Sequence, residues 1–298
     1  MEGALIERLS RNFGEYALVR AQPDEPLSLL TVSLVNGDEP GVAEWYRPDE
    51  DGFSVVSSAP LSAGMMSLLR IRTGLLTDGV PAVFVTGTYG SRQVITDIFA
   101  FRSNHLSNIV YNEESGNSDT NRIDMVPLTD INDDDIIDLP RPVRLPPIDY
   151  YAEESEDFWR IDWQNYSSAG SYRHLFSTLH NDAGWYFILP DDWSEHLILQ
   201  RDDRRSSLGE RVLQLYYRGP LESEATLLAE FHTLTGGART SRLSLPGRVV
   251  VLDELSEVTV TAALYPPPPS LTDLRDNLDS LKSAVKPILS EWITGETG

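Results

Sequence analysis

Turn residues interrupt nearly every apolar run in the first half of this chain before a helix could complete three turns, and that spacing confines it to short strands. β-rich runs fall at 27–35, 42–46, 52–57, 66–76, 80–86, 93–101 and 106–111. Asn36-Gly37-Asp38 precedes the second run and Asp49-Glu50-Asp51 the third, while Asp78-Gly79 is a hairpin signal between 66–76 and 80–86. Leu27-Ser28-Leu29-Leu30 and Met66-Ser67-Leu68-Leu69 open two similar groups about 39 residues apart. Each is followed by a glycine turn and a strand containing Ala43-Glu44-Trp45 or Ala82-Val83-Phe84. A period near 40 residues with three or four strands per unit predicts propeller-like blades. A closed propeller takes about four blades or more, and fewer fit here. The reading is therefore an open remnant, or a chain whose earlier blades lie before Met1.

Leu139 to Pro147 carries four prolines in nine residues. Fixed φ angles and missing N–H donors predict an extended, unladdered linker. The boundary falls there: 1–147 is a propeller-like β-repeat module ending in an Asp-rich loop and a Pro-rich linker, and 148–298 is an α+β domain. An acidic run, Asp149 to Asp157, follows, and proteolysis is expected near Glu153 to Asp157. Further strands are expected at 158–163, 184–190, 196–200, 211–217, 227–234, 248–252 and 257–264. Pro266 to Pro269 then break the chain, and Ser270 with Asp273 resembles a capping box. Leu271, Leu274, Leu278, Leu281, Val285 and Ile288 recur at intervals of three and four, one face of an amphipathic helix. Arg275, Asp276, Asp279 and Lys282 form its polar face, and Pro287 should end or kink it. Leu274, Leu278 and Leu281 should pack on a sheet. The expected fold is β-rich with two domains: N-terminal antiparallel propeller-like repeats and a C-terminal α+β sandwich closed by that helix.

The sharpest chemistry lies in Thr129-Asp130-Ile131-Asn132-Asp133-Asp134-Asp135-Ile136-Ile137-Asp138. Calcium takes six to eight hard oxygens, which a tight loop supplies from alternate residues. Asp130, Asn132, Asp134, the Ile136 carbonyl and Asp138 occupy those alternate positions, and Ile136 and Ile137 would anchor the loop. The competing reading is a solvated acidic turn. The sixth position, where a positive φ favours glycine, is Asp135, a residue that tolerates the left-handed region better than most. Asn36 to Glu44 has a glycine at the sixth position but proline at the fifth, and reads as a decayed copy.

The loop resembles the calcium loops of FG-GAP or VCBS-type propeller repeats, where such a loop precedes a strand. Most of the chain resembles the C-terminal part of uncharacterised lipoproteins from gut-type Firmicutes, through the Ile95-Thr96-Asp97 strand, the aspartate loop and Gly184-Trp185-Tyr186. That resemblance implies a cell-envelope or extracellular location, reached through a signal peptide and a lipid-modified cysteine, neither of which this sequence carries. Trp185 to Trp193, with its aromatic-Pro-x-x-Trp ending, is similar to the opening strand of PsbP-like αβα sandwiches. Members of that family are mostly adaptors or binding proteins.

Charge and motifs narrow the function. A formal net charge of −22 repels phosphate backbones and argues against nucleic acid or anionic membrane as the main partner. The absence of cysteine excludes disulfides, thiol nucleophiles and thiolate zinc sites. No apolar run is long enough for a transmembrane helix, and Met1 to Phe13 lacks the apolar core of a signal peptide. No nucleophile elbow, P-loop, dinucleotide fingerprint or His-Glu-x-x-His motif occurs. The histidines, His105, His174, His180, His196 and His232, are expected at the surface or in hydrogen-bonded turns. Tyr150, Tyr151, Phe158, Trp159, Trp163 and Tyr166 could bind a sugar or a cationic peptide, or glue the linker onto the second domain; burial is the favoured role. The sequence thus points to a non-catalytic envelope or surface protein with a calcium-binding loop and a protein or carbohydrate ligand. The alternative is a hydrolase acting on an extracellular polymer through an acidic pair. Oligomeric state is not legible.

Overall fold

The computed structural model describes residues 14–22, 25–36, 40–50, 52–148, 157–220 and 224–288. Gly37 to Glu39, Tyr150, Tyr151 and all of the acidic run but Asp157 lie outside the described residues. Two compact units are present: Met1–Pro140 with Gln164–His174, and Arg141–Trp163 with Leu175–Gly298.

The first unit holds two antiparallel sheets. Strands β1 (Glu15–Val19), β2 (Ser28–Ser33), β3 (Val42–Asp49) and β4 (Gly52–Pro60) form a meander in sequence order. Next come β5 (Ser67–Leu75), β6 (Pro81–Thr88), β7 (Gln93–Arg102), β8 (His105–Asn108), the small pair β9 (Tyr111–Asn112) and β10 (Asn117–Ser118), and β11 (Arg122–Ile123). The second sheet runs β11-β7-β6-β5, with β8 also on β7. Gly79, at φ 74°, makes the tight turn between β5 and β6 that Asp78-Gly79 predicted.

Strands β6 and β7 are buried on both faces, which is why they read as continuous apolar runs rather than alternating ones. Val83, Val85, Ile95, Phe99 and Phe101 share one core with Leu30, Val32, Ala43 and Trp45 of the first sheet. The Trp45 and Phe101 rings meet edge to face at 5.1 Å. Ala82, Phe84, Ile98 and Ala100 point the other way, into a core with Leu128, Ile137, Leu139 and Tyr166. That second core holds the aspartate loop.

The later strands form two more sheets. β12 (Leu139–Arg144), β13 (Trp159–Tyr166), β14 (Tyr172–Asn181) and β15 (Trp185–Ile188) precede β16 (Leu197–Asp202), β17 (Glu210–Tyr217), β18 (Thr226–Thr235), β19 (Val249–Leu252), β20 (Val258–Leu264) and β21 (Val285–Pro287). Their orders are β12-β13-β14-β15-β21 and β16-β17-β18-β20-β19. Trp185, Phe187 and Leu189 from one sheet and Leu213, Leu215, Phe231 and Val260 from the other build the core of the second unit. No sheet among the described residues closes into a barrel.

Three expectations are corrected. The proline-rich stretch is not unladdered: Leu139–Arg144 is the edge strand of a five-stranded sheet, where missing donors cost little. The single terminal helix does not form. A 3-10 turn at Leu274–Asp276 is followed by Asn277 at φ −142°, ψ 80°, and only Leu278–Ala284 is α-helical. Asp273 caps the first piece and Asn277 the second, so the apolar phase is reset between them. Leu274 and Leu281 are buried as expected, but Leu278 sits in the first helical turn and is 39% exposed. Val285, read as helix, is buried in β21 against β15. β1 and β14 lay outside the expected strands. Of the aromatic cluster, Trp163 and Tyr166 are buried.

Candidate functional site

The aspartate loop is closed by a two-residue bridge. Asp138 N–H donates to the Thr129 carbonyl at 2.8 Å, and Thr129 N–H donates back to the Asp138 carbonyl at 3.2 Å. Ile131 and Ile137 are buried and fasten the loop from within. Gly74 of β5 makes that fit possible, because a Cβ there would run into Ile137 Cγ1. Asp133 and Asp135 adopt positive φ, 60° and 64°; Asp135 thus takes the left-handed conformation expected at the glycine-type position.

Short side chains wind the turn. Asp130 accepts the N–H groups of Asp134 at 3.1 Å and Asp135 at 2.7 Å. Asp134 accepts the Ile136 N–H and the Asn132 amide, both at 2.9 Å. Asp138 accepts the Ile131 N–H at 3.2 Å with Oδ2 only. The Asp138 carboxylate is fully buried and no donor is aligned on its Oδ1, although the Asn165 side chain, whose Nδ2 likewise lacks an aligned partner, is close enough to act on the carboxyl; Asn132 Oδ1 also has no partner. Burial pushes the Asp138 carboxyl up to about 7, the Asp134 and Asp130 charges add to that, and the Ile131 N–H and Asn165 oppose it. The structure therefore ties Asp130, Asn132 and Asp134 into one turn with Asp138 electrostatically coupled to it. It does not gather them into a closed ligand shell: among the described residues, no three His, Cys, Asp or Glu side chains form a group able to hold a metal ion.

A second buried carboxylate shows what a purely structural one looks like. Asp97 on β7 is also fully buried, yet it accepts Ser62 N–H at 2.9 Å, Ser62 Oγ at 2.7 Å, Asn108 Nδ2 at 2.9 Å and the Ser118 hydroxyl. Both its oxygens are saturated by protein donors. Asp138 is buried to the same degree with one aligned bond, from the Ile131 N–H, and only the misaligned Asn165 side chain near its other oxygen.

The second unit contains a polar cluster that sequence reasoning missed. Glu230 and His232 alternate on β18 and share a face with Glu210 and Gln214 of β17. The intervening Ala229 and Phe231 face the core. Glu210 is fully buried; Arg248 donates to its Oε1 at 2.6 Å, Arg242 contacts Oε2, and Arg205 lies 3.8 Å away. Burial raises the Glu210 pKa, but the Arg248 hydrogen bond and the Arg248 and Arg242 charges outweigh it and hold the carboxyl below its usual range. His232 Nδ1 lies 3.2 Å from Glu210 and Nε2 3.9 Å from Glu230, though neither nitrogen is aligned for a hydrogen bond. Burial, then the Arg248 charge, keep the ring below the normal imidazole range, against the pull of Glu230 and Glu210. Glu230 accepts Gln214 Nε2 at 2.7 Å and the Tyr265 hydroxyl at 2.8 Å. Burial, then that hydrogen bond, push the Tyr265 phenol up to about 12, so it stays a donor.

Glu230, His232, Arg248 and Tyr265 line an open cleft of about 430 Å³. His232 thus corrects the expectation that the histidines lie at the surface or in turns. The available signal was the Glu230-x-His232 alternation, which puts two polar groups on one face of a strand that is apolar on the other. The other predicted surface histidines, His105, His174 and His196, are exposed, and His180 is half-buried against Tyr186. Compared with known proteins, the chain matches no family model and no curated sequence.

Proposed function

We propose that this is a non-catalytic binding protein of the cell envelope or surface, braced by calcium in the Thr129–Asp138 loop. The observation that carries the calcium reading is the orphan Oδ1 of the fully buried Asp138, paired with the orphan Oδ1 of Asn132 in the same turn. A buried carboxylate oxygen without a donor is costly unless it is protonated or meets a cation. Asp130, Asn132, Asp134 and Asp138, with the Ile136 carbonyl, would hold the ion, which would supply charge neutralisation and stiffness rather than chemistry. The partial exposure of Asp130 and Asn132 gives the ion a route in. The blade-like reading rests on the similarity of the 27–30 and 66–69 segments, which fall in β2 of the first sheet and β5 of the second. The envelope location rests on the lipoprotein resemblance.

The binding role is favoured over the hydrolase by the state of the polar groups. Glu210 and Glu230 flank His232 on one sheet face. Glu210 is held ionised by arginines, whereas a general acid needs a raised pKa. His232 has both ring nitrogens buried, and neither is aligned for a hydrogen bond with the carboxylates beside it.

The test is thermal melting of the whole chain in chelator and in 10 mM calcium. For a site of dissociation constant about 1 mM, saturation adds about 1.4 kcal/mol, or roughly 3–5 °C. Asp138→Asn and Asp134→Ala should each remove the calcium response. Equal melting temperatures in chelator and calcium would refute the brace.

A further inference from the structure

We propose that the cleft of the second unit is a saccharide-binding site, with Glu230 and Arg248 as its hydrogen-bonding pair. The inference rests on the binding-protein reading and supplies the ligand class that reading leaves open. It is independent of the calcium loop, which belongs to the other unit.

The cleft presents one carboxylate, Glu230, and one guanidinium, Arg248, beside apolar residues that include Leu245, Pro246 and Ala263. Their opposite charges argue against a simple ion as the ligand. A cation drawn to Glu230 meets Arg248, and an anion drawn to Arg248 meets Glu230. Both groups are also already engaged by the protein: Glu230 by Gln214 and Tyr265, Arg248 by Glu210 through one terminal nitrogen and by the Arg242 carbonyl through the other. They are held in fixed directions, so that a ligand would meet the lone pairs left on Glu230 and the edge of the Arg248 guanidinium rather than a naked charge. An uncharged ligand with neighbouring hydroxyls uses both at once. One hydroxyl donates to Glu230 while the next accepts from Arg248, with no charge stripped of its solvent.

The walls agree with that chemistry. A sugar ring has an apolar C–H face as well as a polar edge, and Leu245, Pro246 and Ala263 supply apolar surface for it beside the polar pair. The volume of about 430 Å³ lies within the range of small-ligand sites, roughly 300–1,000 Å³. The polar groups are ordered before the ligand arrives, which lowers the entropic cost of binding. The phosphate-repelling charge of the protein leaves neutral sugars unaffected.

The experiment is saturation-transfer NMR and calorimetry on the whole chain. The probes are glucose, N-acetylglucosamine and their β-1,4-linked disaccharides; agmatine and succinate are the cationic and anionic controls. At least one saccharide should bind with a dissociation constant on the order of 1 mM, and neither control should bind more tightly. Glu230→Gln keeps the shape and should weaken that saccharide at least about tenfold. Ala263→Phe fills the cleft from a side chain that makes no hydrogen bond, and should abolish binding while the circular dichroism stays native. Absence of binding by every saccharide overturns the proposal. So does tighter binding of agmatine or succinate, or saccharide binding that survives both substitutions. Because none of these readouts uses calcium, a failure here is distinct from a failure of the calcium brace.

Discussion

Glu210→Gln isolates a buried ion cluster of the second unit. Glu210 sits on β17 with no exposed side-chain surface, and Arg242 and Arg248 reach it from the 236–248 segment that joins β18 to β19. Glutamine fills nearly the same space but removes the charge, leaving Arg248, itself 7% exposed, without its carboxylate. Breaking a buried pair by removing one partner costs about 3–5 kcal/mol; the partial exposure of Arg242 and Arg205 places this case at or below the lower end, about 2–3 kcal/mol. For a protein of this size that is roughly 4–12 °C in melting temperature. The pH dependence supplies a second check. The folded carboxyl is held below its unfolded range, so its contribution is complete above the ordinary glutamate pKa and is lost as pH falls through the lower folded value. Calorimetric melts between pH 7 and pH 3 should show the wild type losing stability toward acid more steeply than the variant. A variant that melts within a degree of wild type, with the same acid slope, would refute the claim that Glu210 holds the segment.

Leu281→Ala should cost about 2–5 kcal/mol by denaturant unfolding, because Leu281 is fully buried, whereas Leu278→Ala, at 39% exposure, should cost less than about 1 kcal/mol. Asp97→Ala should destabilise the first unit by about 3 kcal/mol or more, since Ser62, Ser118 and Asn108 all lose their shared acceptor; hydrogen exchange confined to β7 and β8 would report it. Burial holds the His180 ring down at about 4, against 6.5 unperturbed, so its contribution is full above pH 6.5 and fades toward pH 4; His180→Phe should flatten that part of the stability profile measured by thermal melts.

The strands of both units were largely legible because turn signals punctuate them and their apolar runs match a period of two or a doubly buried strand. Val80 to Thr86 and Gln93 to Phe101 are examples, and they became β6 and β7 nearly as read. β14 was not legible. Its first residues, Tyr172-Arg173-His174, are polar and exposed, and the strand gains its buried residues, Ser177 to Leu179, only later. The terminal helix misled for a different reason. Its leucines keep helical spacing from Leu271 to Ile288, but spacing cannot show that the Asn277 side chain will start a second helix by accepting the Ser280 N–H. Proline density marked a place of little hydrogen-bond donation, which an edge strand satisfies as well as a linker does.

The two buried aspartates of the first unit show how far a sequence can carry a site. Asp97 stands in an apolar strand, and nothing local reveals that Ser62, Asn108 and Ser118 will saturate it; those partners lie 11 to 35 residues away. Asp138 closes a spacing pattern that can be read directly, because most of its neighbours are in the same ten-residue turn. The local site was therefore visible and the distant network was not. Their hydrogen bonding separates the roles in a way that burial alone does not. Protein donors reach both Asp97 oxygens, whereas at Asp138 no donor is aligned on Oδ1, with only the Asn165 side chain near it and the Asp134 and Asp130 charges close by. Folding such a group without a counter-ion raises its proton affinity, and the shift toward 7 is that same deficit expressed as a pKa. A cation in the loop would neutralise the carboxylates together, which no single protein donor in the turn does.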